Sequence, residues 1–154
     1  MAGPTGWDDL GGSAIADYHR GRVHSIIIVG YSTGASSALK MAAQLHAAKV
    51  PIDLVVTIDG TSEPPVPPNV RKLINLYVQG GWGDPIDRPT NFPGILRNIP
   101  VKGPNVGHFS IINVKQQQML NYVLAAAEAP APSPAGNGAR SAESAVGAAE
   151  QGSK

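Results

Sequence analysis

Short, uninterrupted apolar runs alternate along this chain with stretches whose apolar positions recur every three or four residues. Residues 25–29 (SIIIV) are a continuous β-branched run, the pattern of a strand covered on both faces. Residues 30–34 (GYSTG) follow as a tight turn. Residues 35–49 then place Leu39, Ala42, Ala43 and Leu45 at helical spacing among strong helix formers. Pro51 ends that helix, because its ring and missing N–H cannot continue the ladder. Residues 52–58 (IDLVVTI), 71–79 (RKLINLYVQ) and 95–101 (ILRNIPV) read as three further strands. Asn113 is the expected N-cap of a last helix over residues 114–127.

A strand, a short turn, a helix and a second strand within so few residues predict a parallel βαβ crossover. The expected class is therefore α/β, a mostly parallel sheet with helices against it. Chemistry in such sheets gathers at the carboxyl ends of the strands, where loops and helix N-termini converge. The places to search are those following residues 29, 58, 79 and 101.

Composition narrows the reading. The chain has 154 residues, 42% apolar and 15% charged, with a formal net charge of +1. Its basic residues are scattered, so no patch argues for nucleic acid or an anionic membrane surface. There is no cysteine, which excludes a disulfide scaffold, a thiolate metal site and a cysteine nucleophile. No apolar run is long enough to span a bilayer, and residues 1–9 lack the features of a signal peptide, so a cytoplasmic location is the default. From residue 129 to 154, 19 of 26 residues are Ala, Gly, Pro or Ser, too little apolar surface to offset the entropy of ordering. A loose leader over 1–12, a folding unit over 13–128 and a disordered tail over 129–154 are expected.

Four places carry candidate chemistry. Gly30-Tyr31-Ser32-Thr33-Gly34 is a G-x-S-x-G between a buried strand and an amphipathic helix, the setting of a nucleophile elbow. A strand turning sharply into a helix forces strained angles on the central serine, and small flanking residues let the two elements pass closely. Thr33 N–H, at the helix N-terminus, would face a developing oxyanion. The plainer alternative is a Gly/Ser turn that only starts a helix. A phosphate-binding loop lacks its Gly-Lys-Ser/Thr, and no G-x-G-x-x-G is present. Asp59 directly follows the second strand, suited to orienting an imidazole, though Asp59-Gly60 is also an ordinary turn pair. Asp84 and Asp87, after the third strand, compete for that role. Of four histidines, His108 alone lies in a loop at the expected carboxyl edge of the sheet; His19, His24 and His46 do not. Trp82, Phe92, Pro93 and Ile95 either line an acyl pocket or tie their loop to the core, the second being the simpler expectation.

The order Ser32, Asp59, His108 is the chain order of α/β-hydrolases. The segments SIIIVGYSTGASSALKMAAQL, VPIDLVVTIDGT, VPPNVRKLINLYVQ and VGHFSI, covering most of residues 23–122, resemble the carboxyl half of an α/β-hydrolase. They are similar to bacterial thioesterase- and lipase-like serine hydrolases. The resemblance implies Ser32 as nucleophile, Asp59 as acid and His108 as general base, acting on an ester or thioester through an acyl-enzyme without metal or other cofactor. Two departures accompany it: Tyr31 stands where relatives of this kind usually have histidine, and the amino-terminal strands have no counterpart. The strand over 25–29 is then an open apolar edge, suited to self-association, and a second oxyanion donor lacks a source, so weak turnover is expected. A non-catalytic remnant or binding module of hydrolase ancestry is the alternative, and a nucleotide-binding α/β domain is a third reading.

Overall fold

The β-branched run near the amino end forms β1 (Ile27–Tyr31), and the amphipathic stretch after it forms a helix (Thr33–Ala47). The computed structural model describes residues 6–128, so the expected tail over 129–154 lies outside the described residues. Ahead of β1 stands a helix, α1 (Trp7–His19), and the helix after β1 is therefore α2. Three strands follow, β2 (Leu54–Ile58), β3 (Lys72–Val78) and β4 (Ile95–Val101), and α3 (Ile111–Ala127) closes the order. The strands make one sheet in the order β1-β2-β3-β4, with every pairing parallel. The class is α/β, as the residue pattern predicts.

Helices cover both faces. On one, α2 packs Ala38, Leu39, Ala42 and Leu45 against Ile28, Val55 and Leu73, and α1 adds Ala14, Ile15 and Tyr18 at the margin. On the other, Ile111, Met119, Tyr122 and Val123 of α3 meet Leu54, Val56, Ile58, Ile74 and Leu76. β2 is therefore buried along its whole length, which is why its sequence shows no polar alternation. Leu39, Leu45 and Leu54 are wholly buried, and each such side chain stabilises the fold by about 1.5–3 kcal/mol relative to exposure.

The β2–β3 and β3–β4 connections carry no helix. Pro64, Pro65, Pro67 and Pro68 in the first, and Pro85, Pro89 and Pro93 in the second, remove the N–H groups a helix would need. Side chains supply the missing bonds. Asn69 Nδ2 donates to the carbonyl oxygens of Ala42 (3.2 Å) and Val50 (2.8 Å). Register aligns Thr57, Asn75 and Asn98 across β2, β3 and β4. Thr57 Oγ1 donates to Asn75 Oδ1 (3.0 Å), and Asn75 Nδ2 donates to Asn98 Oδ1 (2.9 Å). Asn98 then pairs with the main chain of Ile86 in both directions, at 2.8 and 3.0 Å. This polar ladder fixes the second connection to the sheet.

α2 runs over 33–47 rather than 35–49, β2 begins at 54 rather than 52, and β3 spans 72–78 rather than 71–79. Three further differences from the sequence reading bear on the site and the core. β1 covers 27–31 rather than 25–29, because Gly30 and Tyr31 pair with Thr57 and Ile58 and carry the strand into the G-x-S-x-G. The last helix begins at Ile111 after Ser110, not after Asn113, which is an exposed residue of its first turn. Residues 7–12, expected in a loose leader, are helical: Gly11 is buried where a side chain would collide with Gln44. β1 is an edge strand, and Val29 on it is 49% exposed.

Candidate active site

The turn from β1 into α2 is tight enough to dictate its residues. Ser32 sits at φ 55°, ψ −125°, a left-handed-side conformation that L-residues rarely hold without support. That support is on both sides: Ser32 N–H donates to Ile58 O (2.9 Å), and Ser32 O accepts from Ala35 N–H (2.9 Å). A Cβ on Gly30 would run into the Gly34 carbonyl and Ala35 Cα, so the strand and helix pass at a separation only glycine allows at that position. Thr33 opens α2, exposed, with a first-turn N–H that has no partner inside the helix. The Ser32 hydroxyl has no hydrogen-bond partner among the described residues.

Asp59 follows β2 and is fully buried, at φ 46°. Burying a carboxylate is costly unless its lone pairs are used. Here Asp59 Oδ1 accepts from Val78 N–H (2.8 Å) and Gly83 N–H (3.1 Å), while Oδ2 lies 2.8 Å from His108 Nδ1. Gly83 approaches so closely that any Cβ there would meet Asp59. The carboxylate accepts from His108 Nδ1–H, which fixes the tautomer and leaves Nε2 for other chemistry.

His108 lies in the loop between β4 and α3, with its side chain 9% exposed. Three aromatic rings contact the imidazole. Tyr31 stacks on it at 5.1 Å between centroids with planes 26° apart, and Trp82 lies at 4.6 Å and 36°. Phe109 meets it edge-on at 5.1 Å. Tyr31 Oη also donates to the His108 carbonyl oxygen at 2.8 Å. Burial raises the Tyr31 phenol above its ordinary value, and the Asp59 charge adds to the rise.

Ser32, Asp59, Thr33 and His108 thus come from the carboxyl ends of β1 and β2 and the loop after β4. Asp59 and His108 are in direct contact; Ser32 and His108 are not hydrogen-bonded. Asp84 and Asp87 are exposed, and they line a separate groove of about 570 Å³ with Ser62, Glu63 and Arg88. Glu63, itself part of that lining, is half-buried. Its carboxyl is pushed up chiefly by burial, its own backbone hydrogen bond opposing, with Asp84 and Asp59 adding. Phe92 is buried, as a residue tying its loop to the core should be. Trp82, by contrast, is 62% exposed and leans on His108, and Ile95 is 53% exposed. The ring contacts of Tyr31 and Trp82 escape the sequence reading, since neither residue is near His108 in the chain.

A second groove, of about 500 Å³, runs beside the elbow along β1, lined by Leu10, Val29, Tyr31, Thr33, Met41 and Met119 among others, none of its lining side chains charged. Among the described residues, no cluster of His, Cys, Asp or Glu is arranged to hold a metal ion, and no helix is long and apolar enough to cross a membrane.

The parallel four-stranded sheet with helices on both faces defines an α/β fold. In particular, the fold is similar to that of the type II thioesterase BorB from the borrelidin biosynthetic cluster, with a TM-score of 0.50 and 16% sequence identity over 78% of this chain and 70% of that one. No protein-family model matches the chain, and no curated protein sequence does.

Proposed function

We propose that this chain is a serine hydrolase of small ester or thioester substrates, acting through an acyl-enzyme on Ser32. The observation that carries the reading is the Asp59–His108 pair, 2.8 Å apart at the same sheet edge as the strained Ser32. In this scheme His108 Nε2 takes the Ser32 proton as Oγ attacks the acyl carbonyl. The tetrahedral adduct collapses, and Nε2 returns the proton to the departing alkoxide or thiolate. Water then attacks the acyl-serine, again losing its proton to Nε2, and the acid leaves as Ser32 regains its hydrogen. Asp59 holds the imidazole in the Nδ1–H tautomer and stabilises its positive form. Thr33 N–H is one oxyanion donor, at the positive end of α2. The fold shared with a thioesterase supports acyl substrates of this kind, and the uncharged groove beside Thr33 fits an apolar acyl chain.

One observation favours the non-catalytic alternative: the Ser32 hydroxyl is not bonded to His108. An active-site-directed fluorophosphonate separates the two readings. Covalent labelling of the parent chain, lost in Ser32→Ala, is the expected result; no labelling, or labelling that survives the substitution, refutes the hydrolase. We further propose that the open edge of β1 mediates self-association.

A further inference from the structure

We propose that Tyr31 is the positioning residue for His108, holding the imidazole by its ring and the loop by its hydroxyl. The inference rests on reading His108 as the general base, and it follows from how the histidine loop is attached. Within residues 102–110 the hydrogen bonds are mostly internal: Ser110 Oγ accepts from Gly107 N–H (2.9 Å) and donates to Asn105 O (2.8 Å), and Val106 N–H donates to Gly103 O (3.2 Å). These shape the loop without locating it. Ile111 N–H to Gly107 O and Val114 N–H to Ser110 O join it to α3. Among the described residues, two hydrogen bonds join it to the strand ends, both of them on His108. One is Nδ1–H to Asp59 Oδ2; the other is Tyr31 Oη–H to the His108 carbonyl.

A single hydrogen bond to Asp59 leaves the ring free to rotate about that contact and the main chain free to shift. The Tyr31 bond fixes the main chain, and its stacked ring, together with Trp82 and Phe109, limits rotation of the imidazole plane. Tyr31 can do this because it is the last residue of β1, paired with Ile58 next to Asp59, so both anchors of the loop stand on neighbouring strand ends. A tyrosine is stiff, with only two side-chain torsions, so little entropy is lost in the arrangement. The residue immediately before the proposed nucleophile thereby sets the place of the proposed base.

Tyr31→Phe keeps the ring and removes the donor; Tyr31→Leu removes both. Two readouts are needed, the rate of fluorophosphonate labelling of Ser32 and the nitrogen-bound Nδ1 proton of His108 by NMR, assigned with His108→Gln. Tyr31→Phe should slow labelling about fivefold, the weight of one ordinary hydrogen bond. Tyr31→Leu should slow it on the order of 10²-fold, as expected when a reacting group drifts by about 1 Å. In both variants the Nδ1 proton should exchange with water faster than in the parent. If the parent takes no label, the hydrolase reading fails, and the Nδ1 proton alone decides the positioning role. An Nδ1 signal unchanged in Tyr31→Phe, or a Tyr31→Leu variant that folds and labels at the parent rate, overturns the proposal.

Discussion

Replacing Asp59 by alanine and by asparagine should separate two tasks that the one carboxylate performs. Oδ1 accepts from the buried N–H groups of Val78 and Gly83, and Oδ2 faces His108. Alanine removes both oxygens and leaves two buried donors unpaired. Each such donor costs about 1–3 kcal/mol, so Asp59→Ala should lose roughly 2–6 kcal/mol. Set against a total of about 5–15 kcal/mol for an ordinary domain, that is a large fraction of the stability. Asparagine keeps an oxygen in the Oδ1 place and puts an amide NH₂ toward His108. Its cost in stability should be about 1 kcal/mol, the loss of a charge-assisted bond. The amide donates to Nδ1, however, which forces the imidazole into the Nε2–H tautomer and removes the base; labelling of Ser32 should fall on the order of 10⁴-fold. Urea unfolding followed by tryptophan fluorescence measures the first quantity, and fluorophosphonate kinetics the second. Equal unfolding midpoints for the parent and Asp59→Ala would refute the account of Oδ1 as the anchor of the Gly83 loop.

Gly30→Ala forces a Cβ into the Gly34 carbonyl and should destabilise the chain by about 1–3 kcal/mol in the same unfolding assay, with the elbow displaced. Glu63 has a carboxyl raised above its ordinary value, so its ionised form opposes folding, and the part of the stability that Glu63 contributes should fall as pH rises through the carboxylate range. Glu63→Gln lacks that slope, and its melting advantage should grow with pH and then level off; a pH-independent difference would count against the burial argument. Val29→Lys places a charge on the open edge of β1 and should abolish any concentration-dependent association seen by sedimentation velocity, whereas a parent chain monomeric at all concentrations contradicts association through that edge.

Much of this was legible in the residues. The run IDLVVTI announces a parallel strand buried on both faces, and β2 lies there; SIIIV overlaps β1, but β1 is an edge strand and Val29 on it stays half exposed. The pairing of Asp59 with His108 was readable because strand ends in a parallel sheet converge, so residues distant in sequence share one edge. The helix α1 was hidden by Gly11 and Gly12, which lower helix propensity; tertiary contact with Gln44 and the core outweighs that cost. The start of α3 was misread because Ser110, its N-cap, spends its hydroxyl on the histidine loop rather than on the helix. Tyr31 looked like a turn residue, since nothing local reveals that its ring meets a loop many residues away.

The polar ladder across β2, β3 and β4 closes on itself. It leaves β2 at Thr57, crosses Asn75 and Asn98, enters the β3–β4 connection at Ile86, and returns through Gly83 to Asp59, two residues along from its start. A connection without helix or strand is thus tied into the sheet at both Gly83 and Ile86. In hydrogen exchange the amides of Gly83 and Ile86 should behave as members of the sheet's cooperative unit, opening together with Val78 rather than with the exposed residues beside them.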